Sequence, residues 1–223
     1  MLLILGGKKM HIGDGQIPLE QAVVYWIAAL LFIALSLRWA RKEMDESKVP
    51  IFAALAAGIF AIQAMNIPIP WGTSGHMLGS VLAAIILGSP FAGILILALV
   101  LIVQGFLFGD GGISVMGANI LDMGVLASFT GYYTFRMIKG SLGMGKASFI
   151  GGWVGIFIGA QAVAIELAIA DTFPLIPAMT WMGIYHAVIG FIGEGLITAI
   201  VVTSVMNTRP DLVASSSKVG VPA

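Results

Sequence analysis

From Leu19 to Met206 the chain is a succession of long apolar stretches, parted only by short joints rich in glycine, proline or charge. A helix crossing a bilayer needs about 20 mostly apolar residues, and it satisfies its own backbone N–H and C=O groups where no water can. Seven stretches fit this description, over roughly 19–40, 50–65, 75–88, 89–108, 116–138, 147–170 and 181–206. The third is short, and is expected to tilt or to be extended by the loop before it. Composition decides between a lipid-facing bundle and a buried core. Hydrophobic residues make up 59% and charged residues 10%, against about 25% charged in soluble domains. One globular core cannot absorb that surplus. The predicted fold is all-α, a polytopic membrane helical bundle of about seven transmembrane helices, multi-pass in the cell membrane with the lipid bilayer around it. The 29 glycines suit close helix approach.

Charge sets the expected orientation. Arg38, Arg41, Lys42 and Lys48 follow the first stretch, Arg136, Lys139 and Lys146 the fifth, and Arg209 and Lys218 the seventh. The positive-inside rule makes these loops cytoplasmic. Seven spans then place the N-terminus outside and the C-terminus inside. Residues 10–206 form the membrane domain, and 207–223, with Ser215-Ser216-Ser217, a flexible cytoplasmic tail. The formal net charge is zero, with no long basic run, so no nucleic-acid partner is expected. Without cysteine there are no disulfides, zinc–thiolate sites or cysteine nucleophiles.

Lys8 and Lys9 alone fall on the wrong side. Residues 1–9 are too short for a signal peptide and lack a small-residue cleavage site. Gly6-Gly7 can be encoded as a ribosome-binding sequence, with Lys8-Lys9 as its A-rich spacer. This predicts that translation starts at Met10 and that 1–9 is a mis-assigned start or a removed extension.

The chain then begins Met10-His11-Ile12-Gly13-Asp14-Gly15. A free amine followed by histidine is a preformed chelator. The Met10 amine, the His11 backbone nitrogen and the His11 ring nitrogen close one five- and one six-membered ring around a metal. Planar nitrogen donation suits nickel and copper. A second feature, Asn66 to His76, is expected on the same outer side, stiffened by Pro68 and Pro70 and ending at the start of a helix. His76 there is placed to give a fourth nitrogen, or else to satisfy backbone carbonyls. Thr73 and Ser74 are candidates to orient a ligand by hydrogen bonds.

Polar residues also stand at membrane depth: Gln63, Gln104, Asn119, Asp122, Gln161, Glu166, His186 and Glu194. Such groups are expensive in a span and face the bundle interior. Asn119 and Asp122, near the outer end of the fifth stretch, are read as supports of the metal site, together with Asp14. His186 and Glu194 share a helix face, and either line an ion path or make structural hydrogen bonds. Ala53, Ala57 and Ala61 form a smooth face on the second stretch, for contact within the chain or with another subunit.

These motifs resemble the CbiM/NikM family, the substrate-capture (S) components of energy-coupling factor (ECF) transporters for cobalt and nickel. The resemblance rests on Met10-His11-Ile12-Gly13-Asp14-Gly15, on Gly72-Thr73-Ser74-Gly75-His76 and on His186-Ala187-Val188-Ile189-Gly190-Phe191-Ile192-Gly193-Glu194-Gly195. It covers nearly the whole chain from Met10 onward. It implies metal ligation by the Met10 amine, His11 and His76, with Co2+ or Ni2+ as transported substrate and no permanent cofactor. It implies a transmembrane coupling subunit, ATPase subunits and a small membrane accessory subunit as partners, and cobalt import for cobalamin synthesis or nickel import for metalloenzymes. Ala53, Ala57 and Ala61 would then meet the coupling subunit. The chain has no Gly-x-x-x-x-Gly-Lys-Ser/Thr loop, so ATP is expected to be bound by partners. Cobalt members often carry Met and Glu where this chain has Gly13 and Asp14, and the metal stays open between the two.

Two other classes compete. Gly72-Thr73-Ser74-Gly75 has the form found in rhomboid intramembrane serine proteases, with Ser74 as nucleophile and His186 as base. The early-helix histidine-and-asparagine pattern of rhomboids is missing, and Met10-His11 and His76 would go unused. A self-contained ion channel or secondary transporter is the third reading. The transporter subunit, not an enzyme, is the expectation carried forward.

Overall fold

A computed structural model describes residues 11–65, 67–69 and 73–213. The expected start at Met10 and the extension 1–9 lie outside the described residues, as do the side chains of Thr73 and Ser74.

Helix α1 (Leu19–Glu43) follows Pro18 and ends with Arg41 and Lys42 in its last turn, where cations meet the negative end of the helix dipole. Its 25 residues reach about 37 Å at 1.5 Å per residue. Only Ala22, Ala29 and Ser36 are buried, while Ile27, Leu30 and Leu31 are exposed; this is a helix whose apolar surface meets lipid. A 3-10 turn, Glu46–Lys48, leads into α2 (Val49–Gln63), which has proline in its first turn. A two-stranded antiparallel ribbon follows, Ile67–Ile69 paired with Thr73–Gly75. It is the one addition to an otherwise helical chain among the described residues.

Helix α3 (Ser80–Leu87) is buried at all eight positions and folds back against α4 (Pro90–Phe108). Gly88, at φ 77°, ends α3, and the Ser89 hydroxyl accepts from Phe91 N at 3.2 Å to start α4. Gly109, at φ 64°, closes α4. Helical structure then runs from Met116 to Ile169 but breaks at Gly143, whose φ of 76° and ψ of 168° are not helical. We number the two halves α5 (116–142) and α6 (144–169). Helix α7 runs from Leu175 to Thr208. Both α5 and α7 contain a π-helical bulge, at Ile120–Leu126 and Gly190–Gly195.

Helices α5 and α6 cross at glycines. A Cβ on Gly131 would sit 2.6 Å from the Gly151 carbonyl, and one on Gly151 2.8 Å from the Gly131 carbonyl. Backbone touches backbone there, which is how membrane helices associate without a hydrophobic drive. Gly145 lies against Thr203, so the Gly143 break and the end of α7 share one end of the bundle. Residues 11–18, 109–115 and 170–174 meet at the other: Thr172 donates to the Gln16 carbonyl at 2.5 Å and Ser114 N to Asp14 at 2.9 Å.

Among the described residues five helical runs are long and apolar enough to cross a membrane, one of them the α5–α6 run. The polytopic helical bundle is therefore as expected, with shifted boundaries. The third helix begins at Ser80, not near Gly75, because 76–79 is drawn out and pinned by other helices. At eight residues it is too short to span by itself. The expected loop over 139–146 is helix except at Gly143, and α7 starts at Leu175 rather than Trp181.

Candidate metal centre

Two extended segments bring histidines together from opposite ends of the sequence. The His11 and His76 rings lie edge to face with centroids 4.7 Å apart, and both residues are buried.

The first segment is fixed by α4, α5 and the joint between them. Gln104 Oε1 lies 3.1 Å from His11 Nε2. A carbonyl oxygen only accepts, so Nε2 carries the proton and Nδ1 the lone pair. His11 Nδ1 is buried with no hydrogen-bond partner. It is also the ring nitrogen that closes a six-membered chelate with the His11 backbone nitrogen. Burial, with the His76 ring beside it, holds the His11 pKa down at about 3, although Gln104 pulls the other way. The ring is neutral and able to ligate at any physiological pH. The next residue is gripped reciprocally: Ile12 N donates to Asn119 Oδ1 at 3.1 Å and Asn119 Nδ2 donates to the Ile12 carbonyl at 3.2 Å. Gly112 N also donates to that carbonyl at 3.0 Å. Asp14 accepts from Ser114 N and, at 2.6 Å, from Ser114 Oγ. Glycine is required in the joint: a Cβ on Gly111, at φ 82°, would meet the His11 ring at 3.2 Å, and one on Gly112 would strike Asp14.

The second segment runs from His76 to Gly79. His76 Nδ1 donates to the Met77 carbonyl at 2.9 Å, the tautomer that leaves the ring's lone pair on Nε2. Gln63 of α2 donates to the Leu78 carbonyl at 2.9 Å, and the Glu194 carboxylate of α7 accepts from Leu78 N and Gly79 N.

Comparisons with known proteins place the chain in a family. A family model described as the cobalt uptake substrate-specific transmembrane region, CbiM, matches residues 11–212. The chain belongs to the CbiM family. It is 39% identical over 95% of its length to an Archaeoglobus fulgidus protein named as a fused nickel transport protein, NikMN, covering 70% of that protein. It is 33% identical over 96% of its length to the cobalt transport protein CbiM of Geobacter sulfurreducens, covering 64% of it. A crystal structure of a truncated transition metal transporter superposes with a TM-score of 0.84 at 35% identity, over 89% of this chain and 99% of that one. The chain is thus a multi-pass membrane protein of the cobalt and nickel transport family.

Of the residues singled out from sequence, His11, His76, Asp14 and Asn119 gather at this centre. Met10 lies outside the described residues. Asp122 is elsewhere: its carboxyl, fully buried, meets that of Glu166 on α6. Asp122 lies within the π-helical bulge Ile120–Leu126, where a π-turn shifts residues relative to a regular helix. His186 is buried and its Nδ1 donates to the Met182 carbonyl at 2.9 Å within α7. Ala53, Ala57 and Ala61 are exposed along α2. Gln104, Gly111, Gly112 and Ser114 were not assigned to the site from sequence. An amide in the otherwise apolar α4 was the available sign for Gln104.

Proposed function

We propose that this chain is the capture subunit of an ECF-type importer of Co2+ or Ni2+, with the ion bound by the Met10 amine, the His11 backbone and ring nitrogens, and His76. The observation that carries the reading is the bare, buried Nδ1 of His11, on a ring packed edge to face with that of His76. A neutral imidazole with its other nitrogen hydrogen-bonded is how metal-ligating histidines are prepared. Among the described residues no three His, Asp or Glu side chains cluster to hold a metal, so backbone and terminal nitrogens are the natural remaining donors. Asp14 and Asn119 keep the N-terminal segment in place, and Thr73 and Ser74 stand beside His76 in the chain. The N-terminus faces outside, where the metal is captured. A coupling subunit, meeting the exposed Ala53, Ala57 and Ala61, and ATPase subunits reorient the protein for release, with a small membrane accessory subunit in the assembly. The protease reading is set aside, because the chain belongs to a transport family.

The test compares a protein starting at Met10 with one retaining residues 1–9 uncleaved, each exposed to equal cobalt and nickel and washed. Near-stoichiometric metal on the Met10 form alone is expected. Equal binding by both forms would remove the amine from the ligand set.

A further inference from the structure

Glu194 is completely buried, on the π-bulge of α7, in a part of the sequence far from either histidine of the metal centre. Its carboxylate is used at both oxygens. Oε2 accepts from Leu78 N at 2.7 Å, and Oε1 and Oε2 accept from Gly79 N at 2.9 and 3.1 Å. These are the N–H groups that lead into α3, where a helix leaves donors without intrahelical partners. Gly79 itself has no side chain to cap the helix and holds φ 75°, pressed against Ile59 of α2. Glu194 supplies the cap from another helix.

The consequence reaches past α3. The Leu78 peptide is gripped from the opposite side by Gln63, which donates to its carbonyl. Met77 packs against Gly193, the neighbour of Glu194, where a Cβ would meet its sulfur at 3.1 Å. His76 then bonds the Met77 carbonyl through Nδ1. A chain of fixed contacts thus runs from α7 through Gly79, Leu78 and Met77 to the imidazole of His76. Both Gly193 and Glu194 lie in the bulge, and a π-turn shifts the residues within it relative to a regular helix; Gly193 meets the Met77 side chain and Glu194 the 78–79 backbone.

We infer that Glu194 is the positioning residue for His76: by clamping Leu78 N and Gly79 N it sets where the His76 ring presents its lone pair to the metal. This rests on the reading of His76 as a metal ligand. The clamp requires a carboxylate. Glutamine offers one acceptor oxygen, and its amide would point a donor at a backbone donor.

The experiment uses the full chain beginning at Met10, purified in detergent, and Ni2+ alone as probe. Affinity and the visible ligand-field spectrum of bound nickel are measured for the unaltered chain, Glu194→Gln, His76→Ala and the double variant. Glu194→Gln is expected to weaken nickel binding about tenfold, at the lower end of changes behind a metal ligand, and to shift the spectrum towards that of His76→Ala. The double variant is expected to bind no more weakly than His76→Ala, because a residue acting through His76 has nothing left to position. Gln63→Met releases the same peptide from its other side and also removes an amide oxygen that has no partner. It is expected to fold and to show a smaller loss, likewise absent in the His76→Ala background. Losses that add to that of His76→Ala, or an unchanged spectrum and affinity in Glu194→Gln, would overturn the inference while leaving the metal centre standing. Should His76→Ala bind nickel as the unaltered chain does, the ligand assignment falls and the positioning role falls with it.

Discussion

The two segments that meet at the candidate metal centre are built in different ways. Residues 11–14 form no helix and are held by side chains and glycines of α4, α5 and the joint between them: Gln104, Asn119, Gly112 and Ser114. Residues 76–79 lead directly into the buried α3 and are held by α2 and α7. The first segment is a strap laid onto a finished surface, and the second is continuous with the core. A metal bound by both therefore ties the α4–α5 side of the bundle to the α2–α7 side. In the proposed ligand set the strap brings most of the donor atoms and the core segment brings one, so damage to the two should be unequal.

The sharpest test of that inequality is removal of each ring. His11→Ala deletes the ring donor of the chelate and is expected to weaken nickel or cobalt binding by more than about 100-fold, beyond the range for groups that only support ligands. His76→Ala leaves the N-terminal donors and should cost about 100-fold or less. Titration with either metal measures both, and equal losses would break the comparison. Next in size is Gly112→Ala. Its new Cβ collides with Asp14 and Val115, coming within 2.6 Å of Asp14 Oδ1, so the strap must lift. We expect binding about tenfold weaker, with little change in thermal midpoint because the core segment is untouched; a large fall in the midpoint would show that the strap supports the bundle itself.

Acid gives the smallest effect. The His11 pKa is about 3 in the folded chain against an ordinary 6.5. Between those values the unfolded chain holds a proton that the folded chain does not, so stability falls as pH drops from about 6.5 towards 3. The metal-free protein should show a lower unfolding midpoint at pH 5 than at pH 7, and His11→Asn should shrink that difference. A midpoint that rises on acidification would contradict a buried, neutral ring.

Much of this was legible because it depends on composition and local pattern. The lengths and apolarity of α1 and α4 follow from what lipid demands of a backbone. Met10-His11 and His76 stood out because imidazole and amine are ligand chemistry wherever they fold. Other features were hidden for identifiable reasons. The α3 start moved to Ser80 because Glu194 and Gln63, distant in sequence, draw 76–79 out of the helix. The helix across 139–146 bends at one glycine, and sequence shows many glycines without saying which adopts a positive φ. Asp122 was read as a support for the site because it lies near the outer end of its helix, but its buried carboxyl meets Glu166 of α6.

The sequence by itself determined that this protein lives in a membrane as a helical bundle, and that it carries nitrogen donors suited to a divalent transition metal. Hydrophobic transfer and ligand chemistry belong to residues one at a time. Only the tertiary structure decided that His11 and His76 face each other, that the bare nitrogen on His11 is Nδ1, and which distant side chains hold each ring. Those outcomes depend on hydrogen bonds between groups about 90 to 120 residues apart, whose directions are fixed only once the helices have packed.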